Sequence, residues 1–233
     1  MTTIEGSVAL VTGGSRGIGR ALVTALYERG AKKVYATARD PRTVTHPDAV
    51  PLALEVSDPV SVAAAAEQAQ DVTLLINNAG ASVNASFLDA PVEDVRREFE
   101  TNFFGPLLVT RAFVPVIERN GGGHILNVHS VLSWLGVAGS YSASKAALWS
   151  QTNSLRLDLR PRGIEVTGLH VGYVDTDMTA KIDAPKVTPE SVAAQALDGI
   201  EADAFEVLAD DLTRQVKAGL AADLSTLYPQ LAA

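Results

Sequence analysis

The chain contains no cysteine, so disulfide bonds and zinc–thiolate sites are excluded, and a reducing compartment is compatible with the sequence. It has no surplus of basic charge: 19 Lys and Arg stand against 27 Asp and Glu, a formal net charge of −8. A nucleic-acid partner needs a basic face to neutralise phosphates, so none is expected, although one local basic site is enough to hold a small anion. Every apolar run is broken by Gly, Asn or a charge before it reaches the roughly 18 residues that a membrane helix needs, so no membrane partner is expected. The segment Met1-Thr2-Thr3-Ile4-Glu5 lacks the positive charge and apolar stretch of a signal peptide. A cytoplasmic location is the default reading. Internal repeats, charge blocks and linkers are also missing, so residues 1–233 read as a single domain.

What is present is a 47% hydrophobic, 20% charged composition, which suits a packed core. Apolar runs at residues 7–12, 34–38, 50–56, 72–76, 124–128 and 164–171 read as strands, with a short last one at 205–208. Helical patterns fill residues 18–29, 60–69, 92–117, 140–159 and 189–200. In the first, Ala21, Leu22, Ala25 and Leu26 share a face and Gly30 supplies the stop. Strands alternating with helices predict an α/β fold: one doubly wound parallel sheet (Rossmann-type) with helices on both faces. Ligands in such folds sit at the carboxyl ends of the strands.

The first turn at that edge is Thr12-Gly13-Gly14-Ser15-Arg16-Gly17-Ile18-Gly19. Its glycines follow GxxxGxG, not the usual GxGxxG. Between a strand and a helix, such a turn lets the backbone and the free helix-start N–H groups approach a pyrophosphate. The second strand ends in Ala38-Arg39-Asp40. If it ends at Ala38, Arg39 faces a ribose 2′-phosphate and the cofactor is NADP(H). If it ends later, Asp40 binds the ribose hydroxyls and the cofactor is NAD(H). We favour NADP(H), with Arg16 as a second positive charge near the adenosine end.

Tyr141 and Lys145 are four residues apart at the start of a helix and so share a face. A free tyrosine, with a pKa near about 10, is a poor acid/base group, and an adjacent ammonium lowers that value. The pair is therefore a credible proton donor and acceptor for a carbonyl/alcohol couple. His46, His124, His129 and His170 have no metal-ligand spacing, and Asp175 and Asp177 read better as helix-start caps than as a metal pair, so no metal is expected. His129 ends the fifth strand beside the pair and is a secondary candidate to touch substrate.

With the Gly-rich turn, Asn77-Asn78-Ala79-Gly80, Asn102, Ser130 and Tyr141/Lys145 in this order, the chain resembles the classical short-chain dehydrogenases/reductases from about residue 7 to 178. The resemblance implies an NADP(H)-dependent oxidoreductase that acts on a small carbonyl or alcohol substrate. Tyr141 is its acid/base, Lys145 the residue that lowers the Tyr pKa and binds the nicotinamide ribose, Ser130 the holder of the substrate oxygen, and Asn102 the anchor of a relay water. It also implies cofactor contacts from Gly13, Ser15, Arg16, Gly17, Ile18 and Gly19, from Glu55 and Val56 at the adenine, and from Asn78, Ala79 and Gly80 beside the ribose. Gly172, Val174 and Thr176 are similar to the segment that meets the carboxamide and phosphates. Trp134, Leu135, Tyr173 and Met178 are candidates to line an apolar substrate pocket, while Trp149 reads as core or interface. A homodimer or homotetramer is implied, through the two long helices.

The sequence departs from the family pattern at three places. Glu55 stands where Asp is usual, and Val171 replaces the proline of a Pro-Gly pair. Ser130 precedes Tyr141 by eleven positions, about two fewer than usual, with Gly136 and Gly139 permitting a tighter path; Ser133 is the competing serine. A non-catalytic nucleotide-binding regulator on the same fold is the alternative reading, against which the intact Ser/Tyr/Lys/Asn set counts. An epimerase or dehydratase on this scaffold would need more chain after Met178 for a larger substrate region.

Overall fold

The computed structural model describes residues 2–231. Seven strands form one parallel sheet: β1 (Val8–Val11), β2 (Lys33–Ala38), β3 (Val50–Ala53), β4 (Leu74–Asn77), β5 (Gly123–Val128), β6 (Ile164–His170) and β7 (Glu206–Leu208). Their spatial order is β3-β2-β1-β4-β5-β6-β7. β1 pairs with β2 on one side (Leu10 opposite Tyr35) and with β4 on the other (Leu10 opposite Leu75). The order reverses between β1 and β4, which opens a crevice at their carboxyl ends.

Alternation along the strands feeds two cores. Ala9 and Val11 of β1 point to the face covered by α1 (Gly17–Glu28) and α6 (Pro189–Glu201), where Leu22, Leu26, Val192 and Leu197 are buried. Val8 and Leu10 point to the other face, against α2 (Pro59–Gln68), α4 (Gly105–Arg119) and α5 (Gly139–Leu159), through Val62, Phe113 and Leu159. Both faces are thus apolar, as a parallel sheet requires. Helix starts carry their own signals: Asp58 accepts from Val60 N at 3.0 Å ahead of Pro59, and Thr188 accepts from Ser191 N at 3.2 Å ahead of Pro189. No helix among the described residues is long and apolar enough to cross a membrane.

Three elements differ from expectation. β3 stops at Ala53, short of residue 56, because Glu55 N turns away to the Ser61 hydroxyl at the head of α2 (2.9 Å). The helix expected over 92–117 is two helices, α3 (Val92–Phe99) and α4, joined by a π-turn at Glu100–Phe104. Pro106 lies just beyond it and has no N–H to bond the carbonyl of Asn102, four residues back. The C-terminal residues also form α7 (Asp211–Gly219) and α8 (Leu224–Leu227), neither of which was expected.

The first turn is packed too tightly for any side chain at Gly19: an added Cβ lies 2.1 Å from the Gly13 carbonyl oxygen and 2.6 Å from Asn78 Nδ2. Gly219, at the end of α7, faces open space. Gly19→Ala is therefore expected to lose roughly 1–3 kcal/mol in denaturant unfolding, whereas Gly219→Ala loses nothing. Equal unfolding midpoints for the two variants would show that the turn yields without strain.

Candidate functional site

The crevice is built around Thr12, the residue that follows β1. Its hydroxyl accepts the main-chain N–H groups of Asn78 and Ala79, both at 2.9 Å, just beyond β4. Asn78 returns the contact: its side-chain amide donates to the Thr12 carbonyl (2.9 Å) and the Gly13 carbonyl (3.2 Å). The Gly-rich turn is thus strapped to the 78–80 segment. Gly13 and Gly17 take positive φ (66° and 52°), and an added Cβ at Gly17 would lie 3.1 Å from Thr176 Cγ2. Gly17 and Thr176 therefore face each other closely. Ser15 and Ile18 lie half-buried in the same turn.

β2 ends at Ala38, which leaves the exposed Arg39 as the first residue past the strand. Asp40 is committed elsewhere: it caps the turn Pro41–Thr43 and binds Arg42 through Nε (2.9 Å) and Nη2 (2.8 Å). Arg16 does not extend toward Arg39; its guanidinium reaches Asp177 at 3.4 Å, with both side chains largely exposed. Glu55 accepts from the Ser57 hydroxyl (2.9 Å), and Val56 buries its side chain against Gly105, so the Val56 side chain belongs to the core rather than to the crevice. Val174 is likewise a core side chain, 4% exposed. The Gly172 N–H is held by Asp210 Oδ2 at 2.5 Å, a contact that ties this segment to the start of α7. Val171 keeps its place without the ring of a proline, since its carbonyl accepts from Val131 N at 2.9 Å.

The four chemical candidates converge. Lys145 is 4% exposed and donates to the Val128 carbonyl at the end of β5 (2.9 Å). Its Nζ lies 5.9 Å from the centre of the Tyr141 ring. An added Cβ at Gly80 would meet Asn102 Oδ1 at 3.3 Å and Lys145 Nζ at 3.7 Å, so these three residues border one point. Asn102, fully buried in the π-turn, accepts from Ala81 N (2.9 Å) and donates to the Ala81 carbonyl (2.9 Å) and the Ser144 hydroxyl (3.0 Å). The Ser130 hydroxyl stands against Tyr141, whereas the Ser133 side chain is turned back to accept from Ser130 N (3.3 Å). The short loop between them is pinned: Gly136 N donates to the Tyr228 hydroxyl (3.0 Å) and Ser140 N to the Ala85 carbonyl (3.1 Å).

The electrostatics correct one expectation. Burial pushes the Tyr141 phenol up to about 12 instead of below 10, with Ser130 partly offsetting the rise and the Glu98 charge adding to it; the Lys145 ammonium donates to the Val128 carbonyl. Burial also draws Lys145 down to about 8.

Trp134 is half-buried within a cluster: His170 stacks on it (ring centres 4.1 Å apart), Lys217 Nζ sits 4.8 Å over its ring, and Trp149 meets it edge-on. His129 does not face substrate; it is buried between His170 (3.0 Å) and Thr152 (2.9 Å), and burial holds it neutral. Leu135 is half-buried, and Tyr173 and Met178 are exposed. Thr176, rather than Asp175, takes the cap position of the turn Asp177–Thr179. Sequence reasoning named Thr12 only as the start of the Gly-rich turn, without a role, and passed over Glu98 and Asp210, neither of which belongs to a spacing motif. Only the helix-start pattern Asp210-Asp211-Leu212-Thr213 carried a readable signal.

A model of the short chain dehydrogenase family matches residues 7–186. The ketoacyl reductase HetN of Nostoc sp. is 32% identical over 229 residues, covering 89% of this chain and 80% of HetN. A short-chain dehydrogenase of Burkholderia cenocepacia, solved in complex with NADP, matches with a TM-score of 0.93 and 39% identity over 99% of each chain. A short-chain dehydrogenase/reductase of Burkholderia phymatum, solved with NAD, matches with a TM-score of 0.85 and 25% identity over 93% of this chain and 94% of that one. With a family model across most of the sequence and a fold match across nearly all of it, the chain belongs to the short-chain dehydrogenase family of oxidoreductases.

Proposed function

We propose that the protein is an NADP(H)-dependent carbonyl reductase, working in reverse as an alcohol dehydrogenase. The observation that carries this reading is the convergence of Ser130, Tyr141, Lys145 and Asn102 beside a glycine cradle that side chains would fill. That cradle, Gly13 to Gly19, fits a pyrophosphate, and the turn at Asn78, Ala79 and Gly80 fits a ribose. Arg39 at the strand end, with Asp40 occupied by Arg42, supports NADP(H) over NAD(H). The B. cenocepacia neighbour with NADP agrees, and the B. phymatum neighbour with NAD keeps NAD(H) as the alternative. A cytoplasmic enzyme assembled as a homodimer or homotetramer through α4 and α5 is part of the same reading; Leu157 of α5 is 78% exposed and free for such a contact.

When bound, NADPH supplies the hydride. Tyr141, which keeps its proton at neutral pH, gives it to the substrate oxygen. Ser130 donates to the same oxygen, so developing negative charge meets fixed donors. Lys145 places a positive charge behind both. Both side-chain amide hydrogens of Asn102 are committed, to the Ala81 carbonyl and Ser144, and its Oδ1 accepts from Ala81 N, so Asn102 serves the relay through its main-chain carbonyl, which Pro106 leaves without an α-helical donor. Ser133, turned inward, leaves the oxygen to Ser130.

Three outcomes test this. Tyr141→Phe should keep the fold and NADPH binding and lose roughly a hundredfold or more in carbonyl reduction; unimpaired reduction would rule the mechanism out. Arg39→Ala should weaken NADPH roughly tenfold or more in a binding titration and leave NADH nearly unchanged. An equal loss for both cofactors would remove the 2′-phosphate assignment. Lys145 carries a stability cost, since its folded value of about 8 lies below the unfolded 10.5. The buried ammonium destabilises the fold below pH 8, and the penalty fades as pH rises toward 10.5. Lys145→Met should therefore lose turnover yet match or exceed the parent's stability at pH 7, by up to about 3 kcal/mol, an advantage gone by pH 10.5. A variant less stable than the parent at pH 7 and level with it at pH 10.5 would reverse that sign.

A further inference from the structure

Glu98, on α3, is fully buried beside the crevice, and none of the roles above uses it. Its Oε1 accepts the main-chain N–H groups of Val83 (2.7 Å) and Asn84 (3.2 Å), and its Oε2 accepts the Ser140 hydroxyl. Ser140 Oγ in turn accepts the N–H of Ala85 (3.1 Å). Glu98 thus accepts from three donors, an arrangement suited to a carboxylate.

Two consequences follow from where this carboxylate sits. It joins the 83–85 loop to the first turn of α5, one residue before Tyr141. Gly139, with φ of 51°, brings the chain close enough for Ser140 N to bond the Ala85 carbonyl as well. The second consequence is electrostatic. Lys145 is buried with one hydrogen bond, to a neutral carbonyl, and among the described residues no carboxylate lies within ion-pairing distance of it. A buried ammonium without a counter-charge gives up its proton. Glu98 is the buried carboxylate tied to the head of the helix that carries both groups, through Ser140, and its charge raises Lys145 and Tyr141 alike. The other ionisable groups nearby do not substitute for it. Arg97 is turned outward to Asp94 (2.7 Å), Glu100 is exposed, and His129 below Lys145 is held neutral by burial.

We propose that Glu98 is a positioning residue of the reduction site, whose carboxylate is the buried counter-charge that keeps Lys145 protonated while fixing the turn that presents Tyr141. The proposal rests on the carbonyl-reductase reading for its consequence in catalysis, but not for its test.

The test is an NMR titration of protein labelled at the lysine side chains, with the Lys145 signal assigned from Lys145→Met. In the parent, Lys145 titrates near 8, apart from the exposed lysines. In Glu98→Gln, which keeps the shape and loses the charge, its titration should fall by about one pH unit, the effect of a single nearby charge at an intermediate dielectric. Ser140→Ala and Glu98→Asp retain the charge and should leave it within a few tenths. If Glu98→Gln does not fold, the reciprocal measurement decides: the Glu98 carboxyl signal, followed against pH in the parent and in Lys145→Met, should titrate differently in the two, and identical curves overturn the proposal. An unmoved Lys145 in folded Glu98→Gln overturns it as well. A shifted titration in a protein that reduces no carbonyl would retain the counter-charge and discard the enzymatic reading; an active enzyme with an unmoved titration would do the reverse. In the active enzyme, Glu98→Gln should also move the pH profile of carbonyl reduction toward acid.

Discussion

The junction of β1 and β4 is the constraint on which the crevice depends. Two strands distant in sequence lie side by side, and the chain leaves them in different directions. The gap that results would hold unpaired backbone groups if nothing bridged it. Thr12 and Asn78 bridge it reciprocally, each satisfying main-chain groups of the other's turn. Only with that brace in place do the glycines of the first turn lie close to the 78–80 turn, and only then do Gly80, Asn102 and Lys145 border a common point. Position in the crevice is thus inherited from the sheet rather than from the loops that line it.

A second polar system runs beneath the crevice. Asn77 donates to Asn127 (2.8 Å), Asn127 to Thr152 (2.9 Å), and Thr152 meets His129, which meets His170. The chain ends at Glu206, whose carboxyl is held well below the usual range by His170, Lys217 and Trp149. Trp134, drawn into this cluster by His170 and Lys217, anchors the loop that follows Ser130. Side-chain networks of this kind restrict a core to one arrangement, although Asn77 Oδ1 and Trp134 Nε1 find no partner within this one. Here the network fixes the end of β5, from which the Val128 carbonyl and Ser130 project.

The sequence made legible whatever repeats with a short period or sits in a spaced motif. Buried runs announced the strands, and Gly13, Gly17 and Gly19 announced the turn, because both signals are local. The strand ending at Ala38 could be read only as one of two options, since one residue of register decides which side chain faces outward. The neighbours of Trp134 were not legible, because they are set by His170 and Lys217 from other elements. Glu98 was invisible for the same reason: a glutamate on an otherwise charged helix reads as solvated, and its burial comes from loops that fold over it from residues 83–85 and 140. The helices beyond residue 208 were missed because α7 is strongly polar on one face and α8 is a single turn.

The π-turn at residues 100–104 has an implication for how this segment tolerates changes in length. A π-turn is an α-helix carrying one residue too many. Removing a single residue between Val92 and Asn102 would let α3 and α4 run on as one regular helix, a change that favours the backbone locally. Each residue of an α-helix advances the chain by about 100°. Such a deletion would therefore swing Asn102 away from Ala81, or else roll the apolar face of α4 off the sheet. The phase of the helix, not its sequence alone, ties Asn102 to Lys145, and the surplus residue is what reconciles a side chain facing the crevice with a helix packed against the core.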